Sequence, residues 1–248
     1  MNQRHSKNIR NIGGAELFLF LESIAYQEVE AVKVETSDLG GEILMVASPQ
    51  FSLSPEEYLE WEERQEIRYE YLEGEVYPMT GGTLPYSEIA VNFVTVLKSH
   101  LRGHGCRVFS SDAKVRISEK GPFFYPDATV TCDERDRTAL KFAEHPCMIA
   151  EVLSPTTESY DRGKKFAKYR QLKSLKEYVL ISSDTINVEI FRLNEKEKWE
   201  LTAYAEGDEI ELTSINYKFP IELLYEDIML VPAEEEESRS LILEVQDL

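Results

Sequence analysis

Three residues of this chain are of types and order that can do hydrolytic chemistry together: Asp127 in YPDATV, Glu151 in IAEVLS and Lys165 in DRGKKFAKYR. Two carboxylates on rigid strands supply the hard oxygen donors that suit Mg²⁺ or Mn²⁺. A neighbouring lysine can hold an attacking water or neutralise charge gathering on a phosphate. Glu151 lies inside the apolar run CMIAEVL, where an ionised carboxylate is costly unless it is paired or metal-bound. Either acid alone reads equally well as a turn cap or a salt-bridge partner. The three together at one sheet edge point to a site for metal-assisted hydrolysis of a phosphoester.

The elements that must position these groups follow from the periodicity of the chain. Ser54-Pro55-Glu56-Glu57 opens a short acidic helix to about Gln65: Ser54 caps it, Pro55 suits the first helical position and Glu57 completes a capping box. IRYEYLEGEVYPM alternates branched and aromatic residues around Gly74 and predicts an antiparallel hairpin. Ile89, Phe93, Leu97 and Leu101 recur every fourth residue and give one apolar face to a helix over Ser87 to Arg102. CRVFSS, KVRIS and FFYPDATV read as three strands. CMIAEVL reads as a strand covered on both faces, followed by a basic helix from about Ser159 to Ser174 and a parallel strand EYVLIS. INVEIFRL, KWELTAY and DEIELTS form a meander at one edge, and FPIELLYEDI closes the fold. The core is therefore α/β.

A length of 248 residues and 42% hydrophobic composition favour one globular domain. It is expected over residues 45–232, between a weakly attached extension at 1–44 and an acidic tail at 233–248. Met45 would itself make a normal start, so the upstream segment is read as a product of start-codon choice. The net charge of −19 opposes broad adhesion to nucleic acid. Residues 56–75 carry nine Glu against two Arg, but the balance reverses from Arg162 to Lys176, which holds seven cations and no acid. Arg162, Lys164, Lys168 and Arg170 in that segment are candidate phosphate contacts, although a basic run by itself is most often a solvated helix face.

Cys106, Cys132 and Cys147 are widely spaced and odd in number, so neither a disulfide framework nor a zinc knuckle is expected and a reducing cytoplasm fits. His100 and His104 are four apart, but Gly103 and Gly105 end the helix there, which disfavours a histidine metal site. The run LFLFL is too short to span a bilayer, and no membrane association is expected.

RYEYLEGEVYPMTGG, SSDAKVRI, YPDATVTC, the long string IAEVLSPTTESYDRGKKFAKYRQLKSLKEYVLIS and FPIELLYEDI resemble the putative restriction endonucleases of the PD-(D/E)XK superfamily over about residues 48–230. The resemblance implies a restriction-endonuclease-like central mixed β-sheet flanked by helices. It implies Asp127 and Glu151 as the acids that hold Mg²⁺ or Mn²⁺, and DNA as substrate. Leu153 stands where the nominal motif has lysine, and Lys165, with Lys168 in reserve, is the position matched to it from the following helix. Glu73 in LEGE matches an acidic position that extends the metal shell, and Asp112 in SSDAKV is a further acid to consider. Tyr86 stands where relatives carry histidine, and Tyr169 is expected mainly as core packing. A homodimer would let two sites address two strands. Two other outcomes stay open: a catalytically inactive binding protein of the same fold, and hydrolysis of RNA or another phosphoester.

Overall fold

The structure is a computed structural model that describes residues 52–79 and 81–230. The expected extension at 1–44 and tail at 233–248 lie outside the described residues. None of the described helices is long and apolar enough to cross a membrane.

Helix α1 (Pro55–Glu62) opens as its sequence requires. The Glu57 amide donates to Ser54 Oγ at 3.2 Å, and the Ser54 amide donates to Glu57 Oε2 at 2.8 Å. It buries Tyr58 against the hairpin formed by β1 (Tyr69–Leu72) and β2 (Glu75–Pro78). Glu73 and Gly74 turn that hairpin with φ of 53° and 98°, the left-handed pair that a two-residue turn demands. Helix α2 (Leu84–Leu101) starts three residues earlier than its apolar period suggests, because Thr83 caps it and Pro85 fits its first turn. Ile89, Phe93, Leu97 and Leu101 are all buried, as expected.

The main sheet has six strands: β3 (Arg107–Ser110), β6 (Ala128–Thr131), β8 (Met148–Leu153), β9 (Glu177–Ser182), β10 (Asn187–Leu193) and β11 (Trp199–Ala205). Their order is β11-β10-β9-β8-β6-β3, and only β8 and β9 run parallel. A second, five-stranded sheet joins the hairpin to β4 (Lys114–Arg116), β5 (Phe123–Phe124) and β7 (Phe142–Ala143) in the order β2-β1-β5-β4-β7. FFYPDATV is thus two strands in two different sheets rather than one, because Pro126 cannot donate to a ladder and interrupts pairing there. The meander also needs correction. β12 (Glu209–Leu212) leaves the main sheet and pairs with β13 (Tyr217–Pro220), and a short 3₁₀ turn at Ile221–Leu224 is the last element among the described residues.

Both faces of the main sheet are covered, which is why β8 carries six consecutive buried residues. On one face α2 packs with Val130, Ala150, Val152 and Val179 over Leu212 and Phe219. On the other face Ile149, Tyr178 and Leu180 meet Phe166, Tyr169, Leu172 and Phe124. The basic segment is not one regular helix. Short α turns, α3 (Glu158–Tyr160) and α4 (Phe166–Tyr169), flank a wide π turn at Asp161–Lys165.

Cys106 and Cys132 form a disulfide with Cα atoms 4.1 Å apart, while Cys147 remains a thiol. This corrects the expectation of unpaired cysteines. Pairing of Arg107 with Thr131 across β3 and β6 brings the flanking residues face to face, a relationship that their spacing in the chain does not reveal. His100 stacks on Tyr217 with ring centres 3.9 Å apart and lies 3.1 Å from the Ile215 carbonyl.

Candidate active site

Strand pairing places the two acids. Ala128 of β6 is partnered with Ala150 of β8, and carrying that register one residue further sets Asp127 beside Glu151. Both are buried, with 4% and 3% of their surface exposed. The Tyr86 hydroxyl, from the first turn of α2, donates to Asp127 Oδ1 and Oδ2 at 2.6 and 2.7 Å, and the Val152 amide donates to Oδ2 at 2.8 Å. Glu151 Oε1 accepts the Tyr169 hydroxyl at 2.8 Å and lies 3.0 Å from Lys165 Nζ. Lys165 thus reaches Glu151 across a strand-to-helix connection rather than from two residues after the acid.

Asp161 and Lys165 both belong to the π turn and both are buried; four residues apart, they share one face of the segment, and that face is turned toward Glu151. Lys165 Nζ sits 3.1 Å from Glu70 Oε1 and 3.7 Å from Asp161 Oδ1, and 5.6 Å from the centre of the Phe124 ring. Glu70 Oε1 also accepts the Tyr125 amide at 2.9 Å.

One ammonium thus serves several carboxylates, and the charges register the shortage. Burial pushes Asp127 up to about 6. Burial also raises Glu151 well above the usual carboxylate range, with Asp161, Asp127 and Glu70 adding repulsion that Lys165 only partly offsets. Asp161 rises for the same first reason. Burial alone would lower Lys165, but Glu151, Glu70 and Asp161 hold it charged, well above its ordinary value. An uncompensated excess of buried negative charge fits a divalent cation. Mg²⁺ characteristically takes one or two protein carboxylates and leaves its other positions to water and phosphate. Asp127 and Glu151 are the pair that would hold it. Among the described residues, no three His, Cys, Asp or Glu side chains are gathered closely enough to share an ion as they stand.

Several predicted site residues are not brought here. Glu73 belongs to the hairpin turn and pairs with Lys168 at 2.5 Å, so the two are engaged with each other; the acid that the hairpin brings to Lys165 is Glu70. Asp112 is exposed, 3.6 Å from Arg68. Arg162 is occupied by Glu158 and Glu189. Lys164 and Arg170 are exposed, Arg170 lying over the Phe166 ring. An open groove of about 480 Å³ between α2 and β3 offers further cations, Lys98 and Arg102, beside Ser99 and Ser110. Its Ser110 end abuts Ala128, next to Asp127.

Glu70, Asp161 and the hydroxyls of Tyr86 and Tyr169 were missed as site groups by reasoning from sequence. Glu70 carried a readable signal: it is an acid in the middle of an alternating, aromatic strand, the placement that also singled out Glu151. Tyr169 is fully buried core, as expected, and in addition holds Glu151.

A mixed sheet flanked by helices, with two acids on adjacent strands and a lysine beside them, defines the class of restriction-endonuclease-like proteins. The family described as "Uma2: Putative restriction endonuclease" matches residues 55–222, and the chain belongs to it. It is similar to two proteins of Synechocystis sp., "Uncharacterized protein slr1290" and "Uncharacterized protein sll1609". The first is 41% identical over 72% of this chain and 94% of its own length, the second 31% identical over 68% and 98%. The fold matches a crystal structure from Anabaena variabilis, described as a putative nuclease belonging to DUF820, with a TM-score of 0.58 at 19% identity. That match covers 70% of this chain and 97% of the other.

Proposed function

We propose that this chain is a divalent-metal-dependent endonuclease that hydrolyses DNA phosphodiester bonds. The observation that carries the reading is the Lys165 ammonium 3.0 Å from Glu151, on the strand next to Asp127. Asp127 and Glu151 would hold Mg²⁺ or Mn²⁺, which when bound polarises the phosphoryl oxygen and lowers the pKa of water. Lys165 orients the attacking water and counters the charge that grows on the phosphate. Glu70 and Tyr169 fix the lysine and the second acid, so that neither must reorganise during the reaction. The groove between α2 and β3 carries Lys98 and Arg102, cations that would attract a phosphate backbone.

The pairing of Arg162 and Lys168 with acids leaves fewer free cations for a long duplex than the sequence promises, which favours a second reading: RNA or a smaller phosphoester as substrate. Nicking of supercoiled plasmid by the full chain with Mg²⁺, Mn²⁺ or EDTA tests both. Metal-dependent nicking lost in Asp127→Ala and Lys165→Met is expected. Turnover of RNA or nucleotide esters alone would select the second reading, and no turnover of any phosphoester would leave a binding role.

A further inference from the structure

We propose that the Tyr86 hydroxyl competes with the divalent cation for Asp127, so that loading the site requires this hydroxyl to give up its bond. The inference rests on the metal-site reading above and deepens it. Tyr86 Oη lies 2.6 Å from one oxygen of Asp127 and 2.7 Å from the other. A donor almost equidistant from both oxygens sits across the open end of the carboxylate, opposite its bond to Cβ. That is the place a cation chelated by both oxygens would take. The Val152 amide engages Oδ2 from another direction at 2.8 Å, leaving the outer side of Oδ1.

A second observation agrees. Glu151 is drawn toward Tyr169 and Lys165, and no three metal-binding groups converge among the described residues. The pocket is held by hydrogen-bond donors, each of which stabilises a buried carboxylate. The hydroxyl is suited to leaving. Its only hydrogen-bond partner among the described residues is Asp127, and its ring is half-buried. The ring lies over Gly82, where an added Cβ would come within 2.5 Å of it, whereas nothing lies within 4 Å of the corresponding position at Gly81.

Isothermal titration of the full chain with Mn²⁺, beside Tyr86→Phe and Asp127→Asn, tests this. The parent should bind one ion that Asp127→Asn fails to bind. Tyr86→Phe should bind about tenfold more tightly, the factor carried by a hydrogen bond to a charged group that no longer has to be broken. Saturating Mn²⁺ should also give the parent a near-ultraviolet tyrosine difference spectrum that Tyr86→Phe lacks. Equal or weaker binding by Tyr86→Phe would overturn the proposal, making the hydroxyl a support for the metal-bound form, while the metal site itself would stand. If Tyr86→Phe does not fold, the parent decides: saturation without a tyrosine signal overturns the proposal. A parent that binds no Mn²⁺ overturns both this proposal and the metal-site reading beneath it.

Discussion

Lys165 and Glu70 come from elements 95 positions apart in the chain, yet the ammonium and a carboxylate oxygen stand 3.1 Å from each other, buried on both sides. The hairpin therefore contributes to the site through Glu70, which shares the lysine with Glu151. Glu70→Gln keeps an oxygen for the Tyr125 amide but removes the charge that pins Lys165. Phosphodiester cleavage should fall about tenfold, in line with losses seen when a supporting hydrogen bond to a reactive group is removed. Cleavage rates of the two proteins at saturating metal measure it; an unchanged rate would make Glu70 a purely structural partner.

Glu151 should separate activity from stability. Its carboxylate is buried among Glu70, Asp127 and Asp161, and Lys165 has another partner in Glu70. Removing the charge relieves repulsion and leaves no cation stranded. Glu151→Gln is expected to abolish cleavage while unfolding at the same urea concentration as the parent or a higher one, without metal. Cleavage that survives the substitution would remove Glu151 from the mechanism.

The titration of Asp127 has a sign that can be checked. Its carboxyl is pushed up to about 6 by burial, whereas in the unfolded chain it titrates near ~3.9. The folded state therefore holds the proton more tightly. That contribution to stability is fully present below the unfolded value and is lost as pH rises through about 6. In EDTA, Asp127→Asn should gain on the parent progressively between about pH 4 and 7. Urea unfolding across that range measures the gap, and a gap that does not widen contradicts the burial of an ionisable Asp127.

The two candidate lysines now make opposite predictions. Lys165 is buried against Glu151, whereas Lys168 pairs with the exposed Glu73 at the hairpin turn. Lys165→Met should cost about 100-fold or more in cleavage, the scale of losing one group that stabilises transition-state charge. Lys168→Ala should stay within about threefold, because exposed ion pairs contribute little. Parallel plasmid-nicking rates decide between them; the reverse ranking would return Lys168 to the site.

Elements whose own residues settle their conformation were legible from sequence. The capping box of α1, the Gly74 hairpin, the apolar face of α2 and the fully buried β8 all appear as their patterns require, and Asp127, Glu151 and Lys165 lie together. What was not legible depends on contacts between distant segments. Pro126 divides one apparent strand between two sheets. Glu70 and Glu73 lie three apart on a short hairpin, and only the packing of the second sheet shows which faces inward. The Cys106–Cys132 bond follows from strand register, and the destination of Arg162 from Glu189 on another strand. Lys165 stands in a basic run with Arg162, Lys164 and Lys168 around it, and only the packing of that segment against Glu70 and Glu151 singles it out as the inward cation.

Asp127 borders a strand of the six-stranded sheet, while Glu70 and Phe124 belong to the five-stranded one, with Lys165 touching groups from both. The site is thus a joint between two layers rather than a feature of either. A small slide of one sheet past the other would open the distance from lysine to acid without altering any reacting group. Inactivating substitutions should accordingly collect along this seam, at residues such as Phe124 of the five-stranded sheet and Tyr169 of α4, whose rings lie 5.3 Å apart.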